Sequence, residues 1–80
     1  MINAKTMLVT TFDTFGGEAN YSWVRQEMVT LDKPISELAA VRRAKKIAGF
    51  TGVRCEKADY GDAIQLDPAG YSIRILVSFE

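Results

Sequence analysis

Residues 71–80 (YSIRILVSFE) alternate without a break: Tyr71, Ile73, Ile75, Val77 and Phe79 share one parity, and Ser72, Arg74, Leu76, Ser78 and Glu80 share the other. Successive side chains of an extended chain point to opposite faces, so this is the pattern of a strand with one face packed and the other accessible. Such a strand does not stand alone. Its backbone groups need neighbouring strands, and its apolar face needs a cover. The segment is expected at the centre of a sheet.

The rest of the chain supplies the neighbours and the cover. Residues 6–14 (TMLVTTFDT) are rich in β-branched side chains and read as a strand. Residues 15–20 contain Gly16 and Gly17 and read as a turn into a second strand, 21–31 (YSWVRQEMVTL). Its alternation places Tyr21, Trp23, Arg25 and Glu27 on one face and Ser22, Val24, Gln26 and Met28 on the other. Asp32, Lys33 and Pro34 end it.

Residues 36–48 (SELAAVRRAKKIA) form the one clear helix. Ser36 is the expected N-cap, Glu37 suits the positive end of the dipole, and Lys45 and Lys46 suit the negative end. Gly49 fits a left-handed C-cap. At 3.6 residues per turn, Ala40, Val41, Ala44, Ile47 and Ala48 share one side, while Arg42, Arg43, Lys45 and Lys46 project from the other. A third strand at 53–58, a turn at 59–62 and a short fourth strand at 63–66, stopped by Asp67 and Pro68, lead into the last strand. The expected fold is α+β: a five-stranded antiparallel sheet with one helix packed on one face, in the order β-β-α-β-β-β, as a single domain spanning 1–80.

Several function classes lack the residues they require. The chain of 80 residues has no histidine, which removes the commonest general base and metal ligand, and a single cysteine, Cys55. One cysteine makes no internal disulfide and, without histidine, no ordinary zinc site. Cys55 is expected as a small buried residue in a strand, with an intermolecular bridge as its alternative. Asp59 and Asp62, flanking Tyr60 and Gly61, read first as turn residues capping backbone N–H groups and second as a weak divalent-cation site. Phe15-Gly16-Gly17 has no following lysine or helix and is not a phosphate loop. The expectation is a binding protein, not an enzyme, with no catalytic, cofactor or metal site.

Net charge is zero, yet the charges are segregated. Between 36 and 57 stand Arg42, Arg43, Lys45, Lys46, Arg54 and Lys57 against Glu37 and Glu56; between 58 and 80 stand Asp59, Asp62, Asp67 and Glu80 against Arg74. A bipolar molecule is expected. Besides the acidic 58–80 half, whose Asp59, Asp62, Asp67 and Glu80 suit a basic, DNA-binding channel, two surfaces become binding candidates. One is the basic helix face with Arg54, suited to phosphates or an acidic protein surface. The other is Tyr21, Trp23 and Arg25, residue types that stack bases or anchor protein interfaces. An edge strand, such as 63–66, offers a route to a homodimer. No apolar run approaches the length of a membrane span, and the chain starts at Met without a signal peptide, so a complete cytosolic product is expected.

Three segments carry a resemblance: Asn20-Tyr21-Ser22-Trp23-Val24-Arg25; Thr51-Gly52-Val53-Arg54-Cys55; and Asp59-Tyr60-Gly61-Asp62 with Ile64, Leu66 and Pro68. Across roughly 18–79 the chain resembles small proteins encoded by bacteriophages and other mobile elements. Those relatives often carry a second arginine where this chain has Gln26. In size and character it is similar to anti-CRISPR proteins. That resemblance implies a phage-encoded inhibitor in the cytoplasm of an infected bacterium, binding a Cas protein or a type I CRISPR surveillance complex and blocking target DNA. The expected contacts are Tyr21, Trp23, Arg25, Arg42, Arg43, Lys45, Lys46 and Arg54. The alternatives are a small nucleic-acid-binding accessory protein and a structural phage component.

Overall fold

The computed structural model describes residues 2–13 and 24–80. Its elements are β1 (Thr6–Asp13), β2 (Val24–Thr30), α1 (Glu37–Ala48), β3 (Cys55–Asp59), β4 (Ala63–Pro68) and β5 (Ile73–Phe79). All pairings are antiparallel, and the five strands form one sheet in the order β2-β1-β5-β4-β3. The α+β architecture expected from the sequence is the one observed. The β5 strand lies at the centre, where its alternation places it, with β1 on one side and β4 on the other.

The helix lies across the β1 and β5 face of the sheet. Ala40 and Ala44 are wholly buried beneath it, against Met7, Val9, Ile75 and Val77 in the same core. Alanine on this side lets the helix backbone approach the strands closely. Both ends are capped by their own sequence. The Ser36 hydroxyl accepts the Ala39 N–H at 3.1 Å. At the other end Gly49 is left-handed at φ 85°, and the Phe50 N–H donates to the Lys45 carbonyl at 2.7 Å.

Three local expectations need correction. The 63–66 strand is not an edge: β4 pairs with β3 and β5, so a copy of the chain cannot add there, and the edges are β2 and β3. Pro68 does not stop that strand but is its last residue, buried and opposite Cys55. The Ala69 N–H donates to the Arg54 carbonyl, so by alternation Pro68 turns its nitrogen toward β5. Pairing between β4 and β5 has already ended at Leu66 and Ile75, so no hydrogen bond is lost. Tyr71 is not on the buried face of β5. It precedes the strand, is exposed, and meets the Phe50 ring edge-to-face at 5.0 Å.

Candidate functional site

The helix covers the middle of the sheet and leaves a groove along each flank. On the β2 side the groove has a volume of about 750 Å³. Val29, Ala39 and Ile47 form its apolar surfaces, Arg42, Arg43 and Lys46 overhang it from the helix, and Glu27 stands on the strand wall. Glu27 accepts a hydrogen bond from the Arg25 guanidinium at 3.0 Å. Among the described residues, no carboxylate lies within ion-pairing distance of Arg42, Arg43 or Lys46. Helical spacing explains the convergence: positions 42 and 46 are one turn apart, and 43 adjoins them on the side of Ile47.

The groove on the β3 side is smaller, about 390 Å³, and different in kind. Leu38, Val41, Leu66 and Cys55 make it apolar, with Lys45 at its wall. The Lys57 ammonium is hydrogen-bonded to the Glu37 carboxylate there. Cys55 is half-buried at the first residue of β3, so the expectation of a strand residue holds but full burial does not. Desolvation raises its thiol above the ordinary pKa, Lys45 pulls the other way, and Asp67 adds to the rise.

The predicted contact residues are therefore divided. Arg42, Arg43 and Lys46 meet at one groove, and Arg25 reaches its strand wall through Glu27. Lys45 falls on the opposite flank, although it projects from the polar side of the helix. Arg54 is exposed in the segment before β3 and lines neither groove. Tyr21 and Trp23, like the 15–20 turn, lie outside the described residues. Glu27, Val29 and Ile47 also belong to the groove, although none of them is among the expected contacts. The parity of Arg25, Glu27 and Val29 was the available signal, since it puts all three on the helix-facing side of β2.

The expected charge separation is present in part. Glu37, Asp59, Asp62 and Glu80 line a hollow of about 220 Å³ near the helix N-terminus, whereas Arg42, Arg43, Lys45 and Lys46 lie farther along the helix and Lys57 joins the acidic end through Glu37. Asp67 does not join them. It bonds Arg74 at 2.9 Å on the sheet face away from the helix, and Gln65 at 3.0 Å. Asp59 accepts the Gly61 N–H at 2.8 Å, the turn-capping role expected of it, and Gly61 is left-handed at φ 92°. Among the described residues no group of three acidic or cysteine side chains is placed to hold a metal ion, and no helix is long and apolar enough to cross a membrane. No family model matches the chain, and neither a curated protein nor a solved structure is significantly similar to it.

Proposed function

We propose that this chain is a binding protein of the anti-CRISPR kind. It acts in the cytoplasm of an infected bacterium and docks its α1–β2 groove on an anionic surface of a type I CRISPR surveillance complex, preventing that complex from binding target DNA. The observation behind this reading is the convergence of Arg42, Arg43 and Lys46 above Val29, Ala39 and Ile47. Cations over an apolar floor suit an acidic protein surface or an ordered phosphate backbone, where charge gives orientation and apolar area gives residence. Unpaired cations also steer an oppositely charged partner into encounter. A domain of this size can bury roughly 800 Å² per partner, enough for a specific complex. The choice of a surveillance complex rests on the resemblance to phage-encoded inhibitors, and the absence of histidine from the sequence favours binding over acid–base catalysis.

The test is capture of a purified type I surveillance complex by the immobilised chain, with target-DNA binding by the complex as the second readout. Capture and loss of DNA binding are expected for the parent, and loss of both for the double variant Arg42→Glu, Arg43→Glu. No capture of the complex by the parent would sink the proposal.

The same three cations support a second reading, direct binding of free nucleic acid by an accessory protein. It predicts a log–log salt slope of roughly −2 to −3 for the isolated chain, about 0.7–0.9 per phosphate neutralised. A flat salt response at the same groove would leave the protein partner as the occupant.

A further inference from the structure

We propose that β2 is a self-pairing edge through which two copies of this chain join into one continuous sheet. The reading does not depend on the anionic partner. It starts from the backbone. The Leu31 N–H donates to the Lys5 carbonyl at 2.7 Å, so Leu31 turns its backbone groups toward β1. By alternation Val29, Glu27 and Arg25 do the same, and Val24, Gln26, Met28 and Thr30 turn theirs outward. Among the described residues no strand pairs with that outer side. An open edge of this kind is a template for another strand.

The side chains on the edge make a second copy the occupant. Val24 and Met28 point away from the helix and are 58% and 66% exposed, high values for apolar residues within a strand. An antiparallel copy centred on Gln26 sets Val24 of one chain beside Met28 of the other, twice by symmetry. It also sets Arg25 of each chain opposite Glu27 of its partner, a non-hydrogen-bonded position where facing side chains come closest. In this register the outward N–H and C=O groups of Val24, Gln26 and Met28 all find partners. Centring on Met28 would instead oppose Glu27 to Val29 and lose the charge match. The other edge, β3, carries charge at Glu56, Lys57 and Asp59, and its Lys57 is already held by Glu37.

Edge pairing of this geometry has its two-fold axis perpendicular to the sheet. Both helices then lie on the same face, and the two basic grooves open toward each other across the seam. Each copy supplies Arg42, Arg43 and Lys46 to one shared trough.

Sedimentation equilibrium in reductant, which excludes a Cys55 cross-link, tests the seam. The parent chain is expected to dimerise. Arg25→Glu alone and Glu27→Arg alone each place like charges opposite one another twice, and each should weaken association roughly tenfold or more with an unchanged circular dichroism spectrum. Mixing these two variants should restore a dimer as the heterodimer, and the double variant Arg25→Glu, Glu27→Arg should dimerise by itself. A parent that stays monomeric up to its solubility limit, a single reversal that leaves the dimer intact, or a mixture that stays monomeric would each overturn the inference.

Discussion

The Lys57 ammonium donates a hydrogen bond to the Glu37 carboxylate, tying edge strand β3 to the first turn of α1. Glu37 also sits at the positive end of the helix dipole, so one carboxylate serves both the helix and the strand. Both side chains are substantially exposed, 47% and 41%, and water screens the pair. Its role is to fix where the helix start lies over the β3 flank, more than to stabilise the fold.

The pair has a signature in alkali. The hydrogen bond and charge of Glu37 raise the Lys57 pKa above its ordinary 10.5. A raised folded-state pKa means that the stabilisation is fully present below the ordinary value and is lost as pH rises through the folded value. Urea unfolding of the parent and of Lys57→Met should therefore differ slightly at neutral pH and converge above about pH 10.5. A difference that grew with pH would contradict the pairing.

The helix is held close by its alanines. Ala44 has no exposed surface and sits in the core with Ile75 and Val77. Ala44→Leu forces extra atoms between helix and sheet, and overpacking of this kind costs about 1–3 kcal/mol. Chemical denaturation should show a lowered midpoint at an unchanged slope. Ala39→Leu, by contrast, adds volume at the groove and should leave stability nearly unchanged.

Gly49 separates conformational strain from packing. Its φ is +85°, and a methyl group added there would meet nothing within 4 Å. Gly49→Ala should destabilise the fold by about 1–2 kcal/mol through the backbone alone, and Gly49→Asn by less, because asparagine visits the left-handed region more readily. Thermal unfolding of the three chains would order them as Gly, Asn, Ala.

Much of this architecture was legible in the residues. The alternation of Ile73, Ile75, Val77 and Phe79 gave both the type and the central position of β5. The helix limits followed from Ser36 and Gly49, because capping is local chemistry. Lateral neighbours were less legible. Residues 63–66 looked like an edge because the run is short and ends near a proline, yet alternation reports which face a residue takes and says nothing of which strand lies beside it. Pro68 fits within β4 because its missing N–H matters only where a partner awaits it, and none does there. The site was half legible: the polar side of the helix holds Arg42, Arg43, Lys45 and Lys46 together, yet at about 100° per residue Lys45 lies roughly 160° from Arg43 and in line with Leu38 and Val41, so it takes the other flank.

Cys55 should be a slow thiol. Desolvation raises its pKa above the ordinary 9.0, so the thiolate fraction at neutral pH is lower than in the unfolded chain. Alkylation by iodoacetamide at pH 7.5 should run several-fold slower in the native protein than in urea, with the native rate still rising beyond pH 9.0. Lys45→Met removes the one opposing influence and should slow the native reaction further. Equal rates in both states would contradict the burial.

The two flanks of the helix also differ in what they should bind. Arg42, Arg43 and Lys46 share a groove with a single carboxylate, Glu27, whereas Lys45 and Arg54 stand apart from it. A polyanion such as heparin, used as a probe of the groove, should therefore distinguish residues that sequence alone groups together. Arg43→Glu with Lys46→Glu should weaken binding about tenfold, equivalent to roughly 1.4 kcal/mol, and Lys45→Glu with Arg54→Glu, an equal change in net charge, should weaken it much less. Glu27→Gln should strengthen binding, since it removes the carboxylate that faces the three cations. Isothermal titration at two salt concentrations would measure all three. Equal losses for the two double variants would mean that net charge, and not the groove, governs the interaction.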